Sequence, residues 1–381
     1  MSTRSSTSEA DDRFERRALG LAERGMALAH PNPTVGAVIV KNGQVVGEGF
    51  HEYDKRDHAE IVALKQAGEK ARGATLYVTL EPCCTTGHTG PCTEAVIRAG
   101  IRRVVASMSD PNPAVAGKGL AQLRRASIRV DAGACRDEAR RLNESFAKWI
   151  RRGLPFVTLK TALTLDGKIA LRPGHSTSIS SRASREYVQG LRHEADALLT
   201  GIGTILVDDP LLTDRTSKPR RRPLLRVVVD SRLRLSTRSR LVRSARNDLL
   251  VLTTESKESV EARALAKAGV EVIRVRAKSG RVALDEAMRE LGRRQVLNVL
   301  LEAGAELNGA ALEAGIVDKM ILFYAPRIMG NGGVPMARPS TRAFEKLPPL
   351  KNVTLSPYDS DFIVQGYFHD VYGNHRSRRN N

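Results

Sequence analysis

Aromatic residues are scarce in this 381-residue chain, at 4% with Trp149 the one tryptophan, which excludes a nucleic-acid platform built on many stacked rings. Long apolar runs are missing as well. No stretch approaches the ~20 apolar residues that a membrane helix needs, and the polar stretch from Met1 to Arg17 has no hydrophobic signal core. Cysteine is used sparingly: Cys83, Cys84 and Cys92 lie within ten residues, with Cys135 apart. That grouping suits metal binding in a reducing compartment, the cytoplasm, better than a disulfide framework. Acidic residues are outnumbered 42 to 61 by Lys and Arg, for a net charge of +19. Such a balance attracts phosphates, but the arginines are spread along the chain, with small clusters at 220–222 and 376–379 and no basic run interleaved with aromatics. Anionic small-molecule nucleotides are therefore the expected partners, and nucleic acid is not.

The length exceeds what one core organises, so two domains are expected. Residues 1–12 read as a disordered leader. A helical pattern over 12–29 leads to the breaker Pro31-Asn32-Pro33 and then to a hairpin turning at Asn42-Gly43. Next come helix 58–71, strand 75–80, helix 92–99, strand 103–107, helix 117–126, strand 128–130 and helix 137–150. The alternation predicts a first α/β domain over 13–150 with helices on both faces of its sheet, and a boundary at 151–155. A second α/β series occupies 154–373, its last predicted strand at 319–324, and residues 374–381 form a polar basic tail. No internal repeat is present.

His58-Ala-Glu60 opens one predicted helix, while Cys83 ends a strand and Cys92 starts another helix. One imidazole and two thiolates make a neutral three-ligand zinc site with an open position for water. Glu60, two residues beyond the histidine, then serves as the proton carrier beside that water, the arrangement of a zinc deaminase. Cys84 and Cys135 are bystander thiols, because a fourth protein ligand would close the open position.

Nucleic-acid and cytidine deaminases usually separate the two cysteines by two residues; here eight intervene, from Cys83 to Cys92. That spacing, with Pro31-Asn-Pro-Thr-Val-Gly36, Gly47-Glu-Gly-Phe-His51, Ala74-Thr-Leu-Tyr-Val-Thr-Leu-Glu-Pro82 and Asp110-Pro-Asn-Pro113, resembles the bifunctional deaminase/reductase family of riboflavin biosynthesis. The resemblance implies an N-terminal cytidine-deaminase-like domain, with Asn32, His51 and Asn112 around a pyrimidine nucleotide. Taken locally, Asn32 and Asn112 beside prolines also read as turn residues. The family's cysteine loop carries histidine where Thr85 stands and arginine or lysine where His88 stands.

The resemblance continues through Thr158-Leu-Lys160-Thr-Ala162-Leu-Thr-Leu-Asp166-Gly-Lys168 and, most specifically, Gly203-Thr-Ile-Leu-Val-Asp208-Asp-Pro-Leu-Leu212-Thr-Asp-Arg215. It implies a dihydrofolate-reductase-like C-terminal domain that uses NADPH. Cofactor positions by resemblance are Ala162, Ser178, Ser180, Thr204, Asp208 and Ser231; substrate positions are Ser176, Arg192, Leu212, Arg215 and Glu302. Arginine is the expected holder of the 5′-phosphate, through its bidentate fork. Residues 304–310 (Gly304, Ala305, Glu306, Leu307, Asn308, Gly309, Ala310) read as a strand-to-helix turn whose free N–H groups receive cofactor phosphates, without the Gly-x-Gly-x-x-Gly fingerprint. The family commonly has tryptophan at the position of Ser178.

Implied chemistry is hydrolytic deamination of a diaminopyrimidinone ribosylamino 5′-phosphate, then NADPH reduction of its ribosyl group, in a homo-oligomer, by resemblance a dimer. Two rivals remain: a nucleoside or nucleic-acid deaminase, and a reductase whose deaminase domain is impaired, suggested by Thr85 and His88.

Overall fold

The computed structural model describes residues 9–86, 90–339 and 345–373, and divides into two compact units. The first comprises residues up to Arg152 together with Pro219–Arg221, and the second holds the rest. His88 and the basic tail 374–381 lie outside the described residues.

In the first unit, α1 (Glu9–Arg24) precedes strands β1 (Gly36–Lys41) and β2 (Gln44–Phe50). Then come α2 (Ala59–Ala67), β3 (Thr75–Val78), α3 (Cys92–Arg98), β4 (Arg103–Ala106), α4 (Lys118–Arg125), β5 (Arg129–Ala132), α5 (Arg136–Leu142) and α6 (Glu144–Arg152). The sheet order is β2-β1-β3-β4-β5, antiparallel about β1 and parallel from β3 onward. Alternation along β1 sends Val38 and Val40 toward Phe14, Ala18 and Leu21 of α1. The opposite face meets α2, where a Cβ on Gly47 would fall 2.2 Å from Ala63 O. Helices thus cover both faces. The first helix reaches back to Glu9, into the stretch expected to be a disordered leader, because Asp11 is buried beneath Tyr77 and Arg103, whose side chains both hydrogen-bond its carboxylate.

The second unit contains β6 (Phe156–Thr164), β7 (Lys168–Ala170), α7 (Arg182–Glu194), β8 (Ala197–Gly201), α8 (Ile202–Asp208), β9 (Leu225–Val229), α9 (Arg240–Arg243) and β10 (Leu249–Thr253). It continues with α10 (Val260–Lys267), β11 (Glu271–Arg274), β12 (Ala277–Lys278), β13 (Arg281–Val282), α11 (Leu284–Arg293), β14 (Asn298–Leu301), α12 (Ala305–Glu313), β15 (Lys319–Ala325), β16 (Val334–Pro335), β17 (Lys351–Tyr358) and β18 (Asp361–Tyr367). Nine strands form one sheet in the order β11-β10-β9-β8-β14-β6-β15-β18-β17, with only β17 and β18 antiparallel to their neighbours. Odd and even positions of the central strands feed two cores: Leu199, Val227 and Leu301 pack with α11 and α12, while Leu198, Val228 and Leu300 pack with α8, α9 and α10. Burial on both faces explains their unbroken apolar runs. Strand order reverses where β8 meets β14, the place in such sheets where a crevice opens beyond the carboxyl ends.

Candidate active sites

In the first unit, β3 and the starts of α2 and α3 bring three predicted ligands together. His58 is the N-cap of α2, and Cys92 is the first residue of α3, after Pro91. Cys83 lies in the loop after β3, where its carbonyl accepts from Thr93 N at 3.1 Å and its sulfur from Cys92 N at 3.3 Å. The His58 Nδ1 atom is 3.2 Å from Cys92 Sγ and 3.4 Å from Cys83 Sγ, and the three donor atoms all lie within 4.8 Å of one another. The hydrogen bond with Cys92 pulls Cys83 down to about 4, and the same contact with burial pushes Cys92 far up. Two adjacent thiols sharing one proton and facing an imidazole are a donor set that a soft divalent cation fits. Glu60, in the first turn of α2 and only 3% exposed, stands beside them, its carboxyl pushed up to about 7 by burial. Thr85 is exposed.

Asn32 and His51 meet at 3.0 Å between Nδ2 and Nε2, and His51 Nδ1 is 2.9 Å from Asp57 O. The network assigns a neutral ring: Nδ1–H donates to the carbonyl, and Nε2 accepts from the asparagine. Burial, which holds His51 below the ordinary histidine value, agrees. The His51 ring stands edge-on to His58 at 5.2 Å. Asn112 differs. Its side-chain oxygen accepts from Ala114 N at 3.1 Å and its own N–H donates to Asp110, so it performs the turn chemistry its proline neighbours suggest.

Two residues here escaped sequence reasoning. The buried Glu81 carboxylate accepts from the backbone N–H groups of Asp110, Gly117, Gly119 and Leu120, fixing the loop that carries Asn112. Asn143, buried between α5 and α6, clasps Thr34 by accepting from its N–H at 2.8 Å and donating to its carbonyl at 3.0 Å, which holds the Asn32 loop.

In the second unit, a cavity of about 520 Å³ is lined by eleven predicted residues: Ala162, Ser176, Ser178, Ser180, Arg192, Thr204, Asp208, Arg215, Glu302, Gly304 and Ala305. An adjoining cavity of about 470 Å³ shares Thr204, Gly304 and Ala305 with it and adds Ser231, Glu306, Leu307 and Ala310. Leu212, Asn308 and Gly309 line neither. Leu212 packs in the core, Asn308 is fully buried and donates to Met336 O, and a Cβ on Gly309 would meet Arg338 O at 2.1 Å.

The larger cavity contains a charged trio on one face. Arg192 of α7 forks onto Glu302 through Nε at 2.8 Å and Nη2 at 3.0 Å, and Lys160 of β6, which the sequence did not single out, is 3.7 Å from the same carboxylate. Burial pulls the Lys160 ammonium below its ordinary value, with Glu302 opposing. Burial also works against ionised Glu302, but the two cations outweigh it and hold the carboxyl below its ordinary value. The fork of Arg192 is therefore engaged by Glu302 and by Thr213 O, leaving exposed Arg215 the freer phosphate holder of the two predicted. Ser178 is bracketed instead of stacked: its hydroxyl accepts from Arg185 and its carbonyl from Arg327. The loop 209–216 has five anchors: Asp209 accepts from Arg240 N, Leu211 O from Arg226, Thr213 O from Arg192, Asp214 pairs with His193, and Arg215 N donates to Gln189.

Comparison with known proteins matches this division. The family model for the RibD C-terminal domain covers residues 155–364, and that for the cytidine and deoxycytidylate deaminase zinc-binding region covers 8–108. The riboflavin biosynthesis protein RibD of Aquifex aeolicus is 43% identical over 85% of this chain and 89% of its own. The chain belongs to the RibD family. Solved RibD-family structures agree in fold: Acinetobacter baumannii RibD, 36% identical, superposes with a TM-score of 0.82 over 94% of this chain and 99% of its own. A Thermotoga maritima protein described as a diaminohydroxyphosphoribosylaminopyrimidine deaminase/5-amino-6-(5-phosphoribosylamino)uracil reductase, also 36% identical, gives 0.81 over 94% and 98%. As a RibD-family protein, this chain is a deaminase and a reductase of riboflavin biosynthesis with zinc in its deaminase part.

Proposed function

We propose that residues 13–150 form a deaminase domain that exchanges the 2-amino group of the diaminopyrimidinone ribosylamino 5′-phosphate for oxygen, consuming water and releasing ammonia. Residues 154–373 then form a reductase domain that converts the ribosyl group of the product to ribityl. The juxtaposition of His58, Cys83 and Cys92 beside buried Glu60 carries the first assignment. These three residues would hold zinc, which supplies the Lewis acidity that makes water a nucleophile near neutral pH. Glu60 carries protons to the departing amine. Asn32, whose amide N–H is held by the buried His51, presents its amide oxygen to the pyrimidine with His51 supporting it, and Asn112 stands at the loop beyond.

In the reductase domain, NADPH would supply hydride to C1′, with Ala162, Ser178, Ser180, Thr204, Asp208, Ser231 and residues 304–310 around it. Ser176, Arg192, Leu212, Arg215 and Glu302 face or support the substrate. Lys160 and Arg192 both face the Glu302 carboxylate, so Lys160 N–H groups are available to a substrate oxygen while Glu302 orients them. No described helix is long and apolar enough to cross a membrane. We infer a cytoplasmic homo-oligomer, a dimer, acting on small nucleotides and not on nucleic acid.

Mass spectrometry of the zinc-replete protein with the diaminopyrimidine ribotide tests both steps. The expected result is deamination alone without NADPH and a further gain of two hydrogens with it. An unchanged substrate under both conditions would overturn the assignment, whereas reduction only of a supplied deaminated compound would mark the deaminase domain as impaired.

A further inference from the structure

The 470 Å³ cavity lies at the carboxyl ends of β8, β9 and β14, and its lining changes character from one end to the other. At one end is the start of α12, whose N-cap Gly304 offers no side chain, so backbone N–H groups face the opening. At the other, beyond β9, are Ser231, Arg232, Arg234 and Arg281. Sheets of this kind read the ribose of a dinucleotide beyond such a strand, with an acid for a free 2′-hydroxyl or an arginine for a 2′-phosphate. The acid that follows β9, Asp230, is fully buried, and its Oδ2 accepts from Leu235 N at 2.8 Å. Although it borders the cavity, its carboxylate is buried and engaged by the turn that follows β9. Arg232 and Arg234 are exposed, alternating with buried Leu233 and Leu235.

Arg281 reaches the cavity from a different element, the β12–β13 hairpin. Ser279 and Gly280 turn this hairpin with φ of 51° and 71°. Val282 N then donates to Ser231 Oγ at 3.1 Å, while Ser231 O accepts from Thr254 Oγ1 at 2.7 Å. The hairpin is thereby tied to the end of β9. Across the cavity, Arg281 is 3.8 Å from Glu306 in the first turn of α12, and Arg338 is 3.6 Å from the same carboxylate. All three side chains are exposed, and long, exposed pairs of this kind are weak and readily exchanged.

We propose that Arg281 is a specificity-determining residue that selects a 2′-phosphorylated dinucleotide, and that Glu306 is an internal counter-anion which the 2′-phosphate displaces from it. The proposal rests on reading this unit as an NADPH reductase. A phosphate offers the guanidinium two oxygens in a fork geometry, stronger than its long contact with Glu306. A 2′-hydroxyl offers no charge, so with an unphosphorylated ribose Arg281 stays on Glu306. The carboxylate also lies in the first turn of the helix expected to receive the pyrophosphate, where negative charge opposes any dinucleotide and opposes most the one that must take Arg281 from it.

The test is calorimetric titration of the full-length protein with 2′,5′-ADP and with 5′-ADP, neither of which carries nicotinamide. R281Q is expected to weaken 2′,5′-ADP by about ten- to a hundredfold, the loss of one charge-assisted hydrogen-bonded pair, while 5′-ADP changes by less than about threefold. E306Q is expected to tighten 2′,5′-ADP, and to lose that effect in the R281Q background. A thermal melt confirms that each variant is folded. If R281Q weakens both ligands equally, or neither, the assignment of Arg281 is overturned while the wild type's preference for 2′,5′-ADP keeps the NADPH reading. If the wild type binds 2′,5′-ADP no better than 5′-ADP, both fall.

Discussion

At the scale of single residues, Asn143 and Asp110 do the least visible work. Asn143 satisfies both backbone groups of Thr34 from 109 residues away, so N143A should leave them unpaired and cost roughly 1–3 kcal/mol. Denaturant unfolding checks the stability, and a raised deaminase KM would report the loosened Asn32 loop; an unchanged KM would confine Asn143 to stability. Asp110 is pushed up to about 6, by burial first and by Glu81 nearby. Its folded value exceeds the unfolded one near 4, so the folded state binds more protons in between, and stability falls as pH rises from about 4 to 6. D110N keeps an oxygen for Asn112 N and should flatten that slope in melts taken across this range. Asp110 is visible in sequence only as part of a proline turn, and Asn143 not at all. A polar residue at a helix break carries no mark of a partner a hundred residues away, and the same holds for Lys160, which reads as one strand residue until Glu302 and Arg192 arrive beside it.

Among elements, periodicity made most of both sheets legible, because strands buried on two faces are continuous apolar runs bounded by turns. Where the physics left no such mark, elements were missed or merged. Strand β17 is exposed along nearly all its length and holds its place by pairing with β18, which pairs with β15, so the predicted series stopped at 324. The helix expected over 137–150 is two, α5 and α6, because Asn143 leaves helical geometry to reach Thr34. The metal trio was legible because its residue types and order are rare, whereas the loop that backs it was not. Gly119 packs against that loop so closely that an added Cβ would lie 2.1 Å from Pro82 O, next to Cys83. G119A should therefore displace Cys83 and lower zinc content, measurable by atomic absorption on protein purified in parallel with the wild type; full occupancy would show that the loop yields elsewhere.

For the whole molecule, two units with separate sheets and separate cores are expected to melt separately. Removing zinc with a chelator should lower the transition of the first unit, and 2′,5′-ADP should raise that of the second, each leaving the other in place. Scanning calorimetry distinguishes this from one joint transition that moves with either treatment. The strongly basic surface acts at this scale too, drawing phosphorylated substrates toward either unit in a salt-dependent way. What they meet in the second unit is already set. Loop 209–216, pinned at five points along its length, does not need to be immobilised when a ligand arrives, so association there avoids an ordering cost of about 1–2 kcal/mol per residue. Arg215, the residue of this loop on the cavity lining, is held through its backbone to Gln189 of α7, so its guanidinium would meet a phosphate from a base that is already fixed.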